Sequence, residues 1–106
     1  MGRSKHVIIS GGENIYPAEI ERILDGLPGV IEACVVGLPD EKWGEVPVIA
    51  AVVAEGGPDQ AALLAACEGE IAKFKRPKAA HIVDALPKNA LGKVIMDDVR
   101  RMLTGT

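Results

Sequence analysis

Apolar residues recur at helical spacing in three parts of the chain, and each part predicts a helix. The first follows Pro17, a residue suited to the first turn of a helix, and is stopped by Gly26 and Pro28. The second follows Asp59, and the third is a short segment near residue 100. The inward positions predicted for these helices are Ile20, Ile23, Leu24 and Leu27 in the first, Leu64, Cys67, Ile71 and Phe74 in the second, and Met96, Val99 and Leu103 in the third.

Shorter apolar stretches between these helices predict strands. The stretch Val46–Ala54 is almost wholly apolar, which is typical of a strand buried on both faces. The order β-hairpin, α, β, β, α, β, α predicts an α+β domain with a small, mostly antiparallel sheet, an N-terminal hairpin and about three helices packed on it. The other predicted elements are a strand at Val7–Ile9 with a turn at Ser10–Asn14, a strand at Val30–Val36 with Ile31, Ala33 and Val35 on one face, a loop at Gly37–Glu45, and a strand at Ala79–Val83.

Length and charge narrow the class of protein. A chain of 106 residues is enough for one domain with one core, but too short to bury a deep cleft for several substrates. Its net charge of −3 argues against nucleic-acid binding, which needs a surplus of basic residues. No apolar run approaches the roughly 20 residues that span a bilayer, and Val7–Ile9 is too short for the core of a signal peptide. We therefore expect a cytoplasmic protein without a transmembrane segment.

The residues that most often bind metals or act as nucleophiles stand apart in this sequence. Cys34 and Cys67 lie in apolar surroundings without a C-x-x-C spacing, so we expect two buried free thiols. His6 and His81 have neither a second ligand nor a catalytic partner close by in the sequence, so we expect them at the surface or at a sheet edge. The sequence predicts no metal site.

A polar loop, Leu86–Lys93, ends in a glycine and a lysine. Pro87 fixes its own φ, while Asn89 and Gly92 can both take positive φ, so we expect a loop of defined shape. It is not a P-loop, because Pro87 stands where the first glycine belongs and no Ser or Thr follows Lys93. Taken alone, these residues favour the interpretation of Lys93 as an ordinary surface lysine.

Two further segments have both a structural and a functional interpretation. Gly11 and Gly12 can form a tight turn, or they can leave bare backbone against which a ligand lies. The segment 73–78 places four cations around Phe74. These cations can complement the C-terminal end of a helix, or form a platform for phosphate and base. Both interpretations stay open on these residues alone.

Four motifs follow one another in a family-specific order. The first motif runs from Gly2 to Glu21, with Gly-Arg-Ser-Lys at 2–5, Ile8, and Ser-Gly-Gly-Glu-Asn-Ile-Tyr-Pro-Ala-Glu-Ile-Glu at 10–21. Residues 86–93 read Leu-Pro-Lys-Asn-Ala-Leu-Gly-Lys. Together with 35–45 and 74–78, they closely resemble the C-terminal domain of the acyl- and aryl-CoA synthetases in the adenylate-forming, AMP-binding superfamily. The resemblance implies that residues 1–106 are a mobile C-terminal domain with its hinge at 1–5. A larger N-terminal domain of the same polypeptide would then hold the ATP loop, the acyl pocket and the Mg²⁺ ligands.

The resemblance also implies roles for single residues. Lys93 is then the catalytic lysine of the adenylation step. Lys5 lies at the hinge, and His6 departs from the Asp that is common beside it. The turn around Gly11 and Gly12 then enters the active site during thioester formation. The residues implied in CoA and pantetheine binding are Ser10, Gly11, Gly12, Glu13, Trp43, Phe74, Arg76 and Lys78.

The function that the resemblance implies is that of an acid–thiol ligase whose substrates are ATP, CoA and a fatty or aromatic carboxylic acid. The carboxylate and ATP give an acyl-adenylate and pyrophosphate, and CoA then displaces AMP. The chain alone is expected to be inactive. The alternative is a small-molecule-binding regulatory domain of ferredoxin-like fold, which the same order of elements can build. An RNA-recognition module is disfavoured because no aromatic residue lies inside a predicted strand.

Overall fold

Three helices and five strands lie within the residues that this computed structural model describes, namely 7–69, 71 and 76–104. The predicted α+β class with a mostly antiparallel sheet is confirmed, and the elements follow in the predicted order. They are β1 (Ile8–Ser10), β2 (Glu13–Ile15), α1 (Pro17–Asp25), β3 (Val30–Asp40), β4 (Gly44–Val53), α2 (Gln60–Glu68), β5 (Ala79–Ile82) and α3 (Met96–Thr104).

Strand β4 is the centre of the sheet. On one side it pairs antiparallel with β3 along most of its length. On the other side it pairs antiparallel with β1 at Gly44 and parallel with β5 from Val48 to Ala51. The connection through α2 is therefore a crossover, as a parallel pair requires. Because β4 and β5 run in the same direction, the chain enters β5 at the end of the sheet where β3 turns into β4.

Apolar side chains fill both faces of the sheet. On one face the strands pack against α1 and α2, and we call it the α1/α2 face. On the other face they pack against α3 and the segment that follows β5, and we call it the α3 face. The buried residues are Ile8, Ile15, Ile20, Leu24, Val35, Ile49, Ala51, Leu63, Cys67, Ile71 and Ala80 on the α1/α2 face, and Cys34, Val36, Ala50, Leu86 and Val99 on the α3 face.

The loop predicted at Gly37–Glu45 is wrong, because β3 continues to Asp40 and β4 begins soon after it. A carboxylate oxygen of Asp40 accepts hydrogen bonds from the backbone N–H of Lys42 at 3.0 Å and of Trp43 at 2.9 Å, which closes a short turn. Pro39 is tolerated because β3 pairs only with β4 among the described strands and has one free edge. Trp43 therefore lies at the tip of a strand hairpin.

The predicted inward position of Ile31 is also wrong. The register of β3 against β4 shifts between Val30 and Glu32, which leaves Ile31 as the extra residue of a β-bulge. Its side chain is 65% exposed. Val30 packs against the α1/α2 face in its place, next to Ala33. A bulge cannot be read from a stretch in which nearly every residue is apolar.

Helix α2 differs from its prediction in its inward face and its length. Leu63 is fully buried together with Cys67, whereas the predicted Leu64 is only half-buried. The reason is that residues four apart lie above one another on a helix, so Leu63 and Cys67 share a face. Gly69 is the C-cap, so the helix stops short of the predicted position Phe74, which itself lies outside the described residues.

The free edge of β3 is covered from both faces. A carboxylate oxygen of Glu21 on α1 accepts a hydrogen bond from the Val35 N–H at 2.9 Å, and the Arg100 guanidinium on α3 donates to the Gly37 carbonyl at 3.1 Å. Burial raises the pKa of Glu21 above its ordinary value. These two contacts occupy backbone groups that would otherwise be open to pairing with another strand.

Candidate functional site

The chain after β5 turns back on itself and presents Lys93. Two backbone hydrogen bonds, each 2.9 Å long, join the two arms of this turn. One runs from the Ile95 N–H to the Pro87 carbonyl, and the other from the Asn89 N–H to the Lys93 carbonyl. We call residues 87–95 the Lys93 hairpin. The loop therefore has the defined shape that its composition predicted.

Asn89 holds the tip of the Lys93 hairpin together. Its side-chain oxygen accepts hydrogen bonds from the backbone N–H of Leu91 at 2.8 Å and of Lys93 at 3.1 Å. Gly92 takes the predicted positive φ, +83°, and donates its N–H to the Asn89 carbonyl at 3.0 Å. Asn89 was not among the predicted site residues, although asparagine is typical of such turns. The backbone at Lys93 is thus fixed on both its N–H and its carbonyl.

The Lys93 side chain itself is exposed. Leu86, just before the hairpin, is only 4% exposed, and Val94 also packs on the α3 face, so both arms are anchored on apolar contacts. Leu91 at the tip is 83% exposed. Within the described part of the chain, no acidic group pairs with the Lys93 ammonium. The hairpin therefore presents an uncommitted positive charge from a fixed backbone.

A second group of predicted residues meets around Trp43. Gly11 and Gly12 form the turn between β1 and β2 with φ of +59° and +84°, as a two-residue hairpin turn of this kind requires. The Gly11 N–H donates to the Trp43 carbonyl at 2.8 Å. A Cβ added to Gly11 would lie 2.6 Å from Cε3 of the indole, whereas one added to Gly12 would meet no described atom within 4 Å. The turn therefore has no space for a side chain at Gly11, whereas the backbone of Gly12 is accessible.

Trp43 is 40% exposed, and two ammonium groups lie beside its ring. Nζ of Lys42 is 5.1 Å and Nζ of Lys78 is 5.5 Å from the ring centroid, within the range of cation–π attraction. Lys78 is fixed at the entry to β5, where its N–H donates to the Pro47 carbonyl at 2.8 Å. Lys42 was not predicted, although it adjoins Trp43 in the sequence. We call Gly11, Lys42, Trp43 and Lys78 the Trp43 cluster.

Arg76 has different partners from Lys78. Its guanidinium donates to the carbonyl of Glu68 at 2.8 Å and to that of Ile71 at 3.4 Å. Glu68 is the last residue of α2, so these bonds complement carbonyls at the C-terminal end of that helix. The contacts of Arg76 therefore support the interpretation in which the cations of segment 73–78 complement the C-terminal end of a helix.

The other predicted site residues fall into three groups. Ser10, the last residue of β1 before the turn, is buried, at 7% exposure. Glu13 is exposed at the start of β2, opposite Ser10. Lys5 and Phe74 lie outside the described residues, so their predicted roles at the hinge and in stacking stay predictions.

The Lys93 hairpin and the Trp43 cluster are attached to opposite ends of β3. Glu32, near the beginning of β3, is in contact with Lys88 of the Lys93 hairpin. Asp40, at its end, holds the turn that carries Trp43. At about 3.3 Å per residue, these two points of attachment lie about 26 Å apart along the strand. One small ligand cannot bridge the two attachment points.

Comparison with known families gives a match over residues 19–93 to the AMP-binding enzyme C-terminal domain. The chain belongs to this family. It is 52% identical over 103 residues to the indoleacetate–CoA ligase of Aromatoleum aromaticum, and the aligned segment covers 96% of this chain and 20% of that protein. It is 41% identical over 104 residues to a long-chain-fatty-acid–CoA ligase of Mycobacterium tuberculosis, and the aligned segment covers 98% of this chain and 21% of that protein.

Solved structures agree with this membership. The crystal structure of apo MatB from Rhodopseudomonas palustris matches with a TM-score of 0.91 and 41% identity, over 98% of this chain and 21% of that one. The chain thus spans about a fifth of the length of the relatives it matches. The resemblance read from the four motifs is confirmed, and the regulatory-domain alternative gains no support.

The other kinds of site considered from the sequence concern thiols, metals and membranes. Cys34 and Cys67 are buried free thiols, as predicted. Within residues 7–69, 71 and 76–104, no three His, Cys, Asp or Glu side chains are grouped so as to hold a metal ion. None of the three described helices is long and apolar enough to cross a membrane.

Proposed function

We propose that residues 1–106 form the mobile C-terminal domain of an AMP-forming acyl-CoA synthetase, and that the two ends of its sheet serve the two steps of the reaction. The observation that carries this proposal is that the Lys93 hairpin and the Trp43 cluster are attached to opposite ends of β3. Groups attached at opposite ends of a strand are suited to reach one active site in turn. Rotation about a hinge at 1–5, with Lys5 as its pivot, brings first one end and then the other to the substrates.

Lys93 is the residue proposed for adenylation. An ammonium placed between the carboxylate and the α-phosphate of ATP holds the reactants together and offsets the charge that develops in the transition state. Such a group works best when it is preorganised. The hydrogen bonds that fix the Lys93 backbone, and the lack of an acidic partner among the described residues, both suit this role.

The Trp43 cluster is proposed to receive CoA during thioester formation. The indole offers an apolar surface, Lys78 and Lys42 offer charges for phosphate groups, and the open backbone at Gly12 leaves room for the pantetheine arm. The family resemblance extends this proposed site to four further residues, namely Ser10, Glu13, Phe74 and Arg76.

The proposed substrates are ATP, CoA and a fatty or aromatic carboxylic acid. Relatives named for indoleacetate and for long-chain fatty acids support this range. The partner is an N-terminal domain of the same polypeptide, which would supply the acyl pocket, the ATP loop and the Mg²⁺ ligands. The 106-residue chain is therefore proposed to be inactive alone, and the full-length enzyme to act in the cytoplasm.

The direct test of this proposal is Lys93→Ala in a full-length ligase that carries this domain. Adenylation, measured as ATP–pyrophosphate exchange, should fall by about 10²-fold or more, because a preorganised charge is lost from the transition state. Thioester formation from supplied acyl-adenylate and CoA should stay near the wild-type rate. Lys93→Gln, which removes the charge but keeps most of the side chain, should behave like Lys93→Ala. ATP–pyrophosphate exchange at the wild-type rate in both variants would show that Lys93 is an ordinary surface lysine.

A further inference from the structure

The Lys93 hairpin has a polar contact with the sheet at its base. Nζ of Lys88 lies 2.8 Å from one carboxylate oxygen of Glu32 and 3.0 Å from the other. Lys88 also forms an antiparallel bridge with Val94 on the opposite arm. The ion pair therefore joins the hairpin, where its two arms meet, to a strand 56 residues earlier in the chain.

Glu32 lies on the α3 face of β3, directly after the bulge. Cys34 and Val36 face α3, and residues two apart on a strand share a face, so Glu32 lies on the α3 face as well. The bulge at Ile31 comes directly before it. Glu32 thus stands at the end of this face, where its carboxylate reaches the segment that follows β5.

Beyond Lys88, the described hydrogen bonds of the tip are internal to it. Asn89 is bonded to the backbone of Leu91, Gly92 and Lys93, and none of these bonds reaches the sheet. The apolar contacts of Leu86 and Val94 keep the arms on the α3 face, but hydrophobic contacts have little directionality. Among the described contacts, the ion pair of Lys88 with Glu32 is thus the polar contact that joins the hairpin to the sheet.

We propose that Glu32 and Lys88 are positioning residues for Lys93, and that the charge of Lys88 serves this contact rather than a substrate. The proposal rests on the function proposed for Lys93. Of the two lysines in the hairpin, one has a carboxylate partner and the other has none among the described residues. Lys88, which is paired with Glu32, orients the hairpin, and Lys93 contacts the reactants.

The solvent exposure of the Glu32–Lys88 pair determines whether its loss mainly lowers stability or mainly slows adenylation. The side chains of Lys88 and Glu32 keep 38% and 30% of their surface accessible, and ion pairs at this level of exposure contribute little to folding. Displacement of a catalytic group by about 1 Å, in contrast, can slow a reaction by up to about 10²-fold. Breaking the pair should therefore slow adenylation while the domain stays folded.

The test uses a full-length ligase that carries this domain. Glu32→Ala and Lys88→Ala should each slow adenylation about tenfold and leave thioester formation from supplied acyl-adenylate within about twofold of wild type. The double variant should be no slower than either single variant, because both break the same contact. Exchange of the two charges, Glu32→Lys with Lys88→Glu, should recover most of the lost rate. Glu32→Gln, which keeps the shape of the side chain, covers the case in which Glu32→Ala does not fold.

Control variants separate the possible causes. Asp98→Ala breaks another exposed ion pair, with Arg101 on α3, and should leave both rates unchanged. Loss of adenylation in Lys88→Ala but not in Glu32→Ala, with no recovery on charge exchange, would mean that Lys88 acts on a substrate and would overturn the inference. Equal losses in both half-reactions together with a lower Tm would reduce the pair to a structural contact. If Lys93→Ala, measured in parallel, retained adenylation, the proposed function itself would fail. If only Lys93→Ala were slow, this inference alone would fail.

Discussion

At the scale of single residues, the two glycines of the first turn differ in what surrounds them. Both have positive φ, so a side chain at either position costs backbone strain of about 1 kcal/mol or more. Only Gly11 lies against the Trp43 indole, at a distance that leaves no space for a Cβ. For folding, Gly11 is therefore required both by the turn and by the Trp43 cluster, whereas Gly12 is required by the turn alone.

Gly11→Ala should lower the free energy of unfolding by about 2–4 kcal/mol, the sum of backbone strain and of overpacking against the ring. Gly12→Ala is the matched control and should cost only about 1 kcal/mol. Denaturant unfolding of both variants, followed by the fluorescence of the single tryptophan, measures the difference. Equal losses would show that the indole moves aside at no cost and that the contact is not tight.

Cys34 offers a second test at the residue scale. Its thiol donates to the Met96 sulfur at 3.3 Å, and burial raises its pKa to about 12. At pH 8 only about one thiol in 10⁴ is then ionised in the folded protein, so reaction with a disulfide reagent should be slow until the protein unfolds. An unfolded thiol ionises near pH 9.0, so the contribution of Cys34 to stability should be lost as the pH rises from about 9 to 12. Rapid labelling of native Cys34 at pH 8 would contradict this burial.

At the scale of elements, two hairpins and the entry to β5 build the Trp43 cluster together. The β1–β2 turn supplies Gly11, the β3–β4 turn supplies Lys42 and Trp43, and the parallel strand β5 brings Lys78 to the same end of the sheet. Arg76, only two positions before Lys78, is instead bonded to carbonyls at the end of α2. Neighbouring cations of one motif thus have different surroundings.

This difference predicts different effects of two substitutions in the full-length ligase. Lys78→Ala should raise the KM for CoA severalfold and leave ATP–pyrophosphate exchange nearly intact, because a charge beside Trp43 is lost. Arg76→Ala should lower the free energy of unfolding by about 1 kcal/mol, because helix carbonyls lose their donor, and should change the KM less. Steady-state kinetics with CoA and thermal unfolding of both variants provide the comparison. The opposite pattern would exchange the roles of these two residues.

Helices α1 and α3 and the buried strands of this domain could be predicted because their apolar patterns are strong, whereas the weaker period of α2 hid its inward face. The end of β3 could not, since Gly37 and Pro39 break the local strand pattern and only pairing with β4 keeps the strand extended. The bulge at Ile31 is likewise a property of the pair of strands. Local sequence therefore predicted the number, type and order of elements, and the register came from contacts between them.

The candidate site divides in the same way. Lys93, Trp43 and Lys78 could be found by their motifs, and the structure places the latter two side by side. Asn89 and Glu32 were missed because a turn asparagine and a strand glutamate are ordinary residues until their partners are known. The residues proposed to contact substrates lie in family motifs, whereas the residues proposed to hold them in place are found through three-dimensional contacts.

At the scale of the whole molecule, the central claim is that opposite ends of one sheet serve opposite halves of one reaction. The two points of attachment lie about 26 Å apart along β3, in a domain whose longest extent is 37 Å. A substitution at one end should therefore affect one half-reaction and spare the other, although both ends belong to the same small domain.

The most direct measurement compares Lys93→Ala and Trp43→Ala in one full-length ligase, with both half-reactions followed in single-turnover experiments. We expect Lys93→Ala to lose adenylation by about 10²-fold or more and to keep thioester formation. Trp43→Ala should keep adenylation and lose thioester formation. Loss of the same half-reaction in both variants, or equal losses of both half-reactions in each, would contradict the assignment of one step to each end of the sheet.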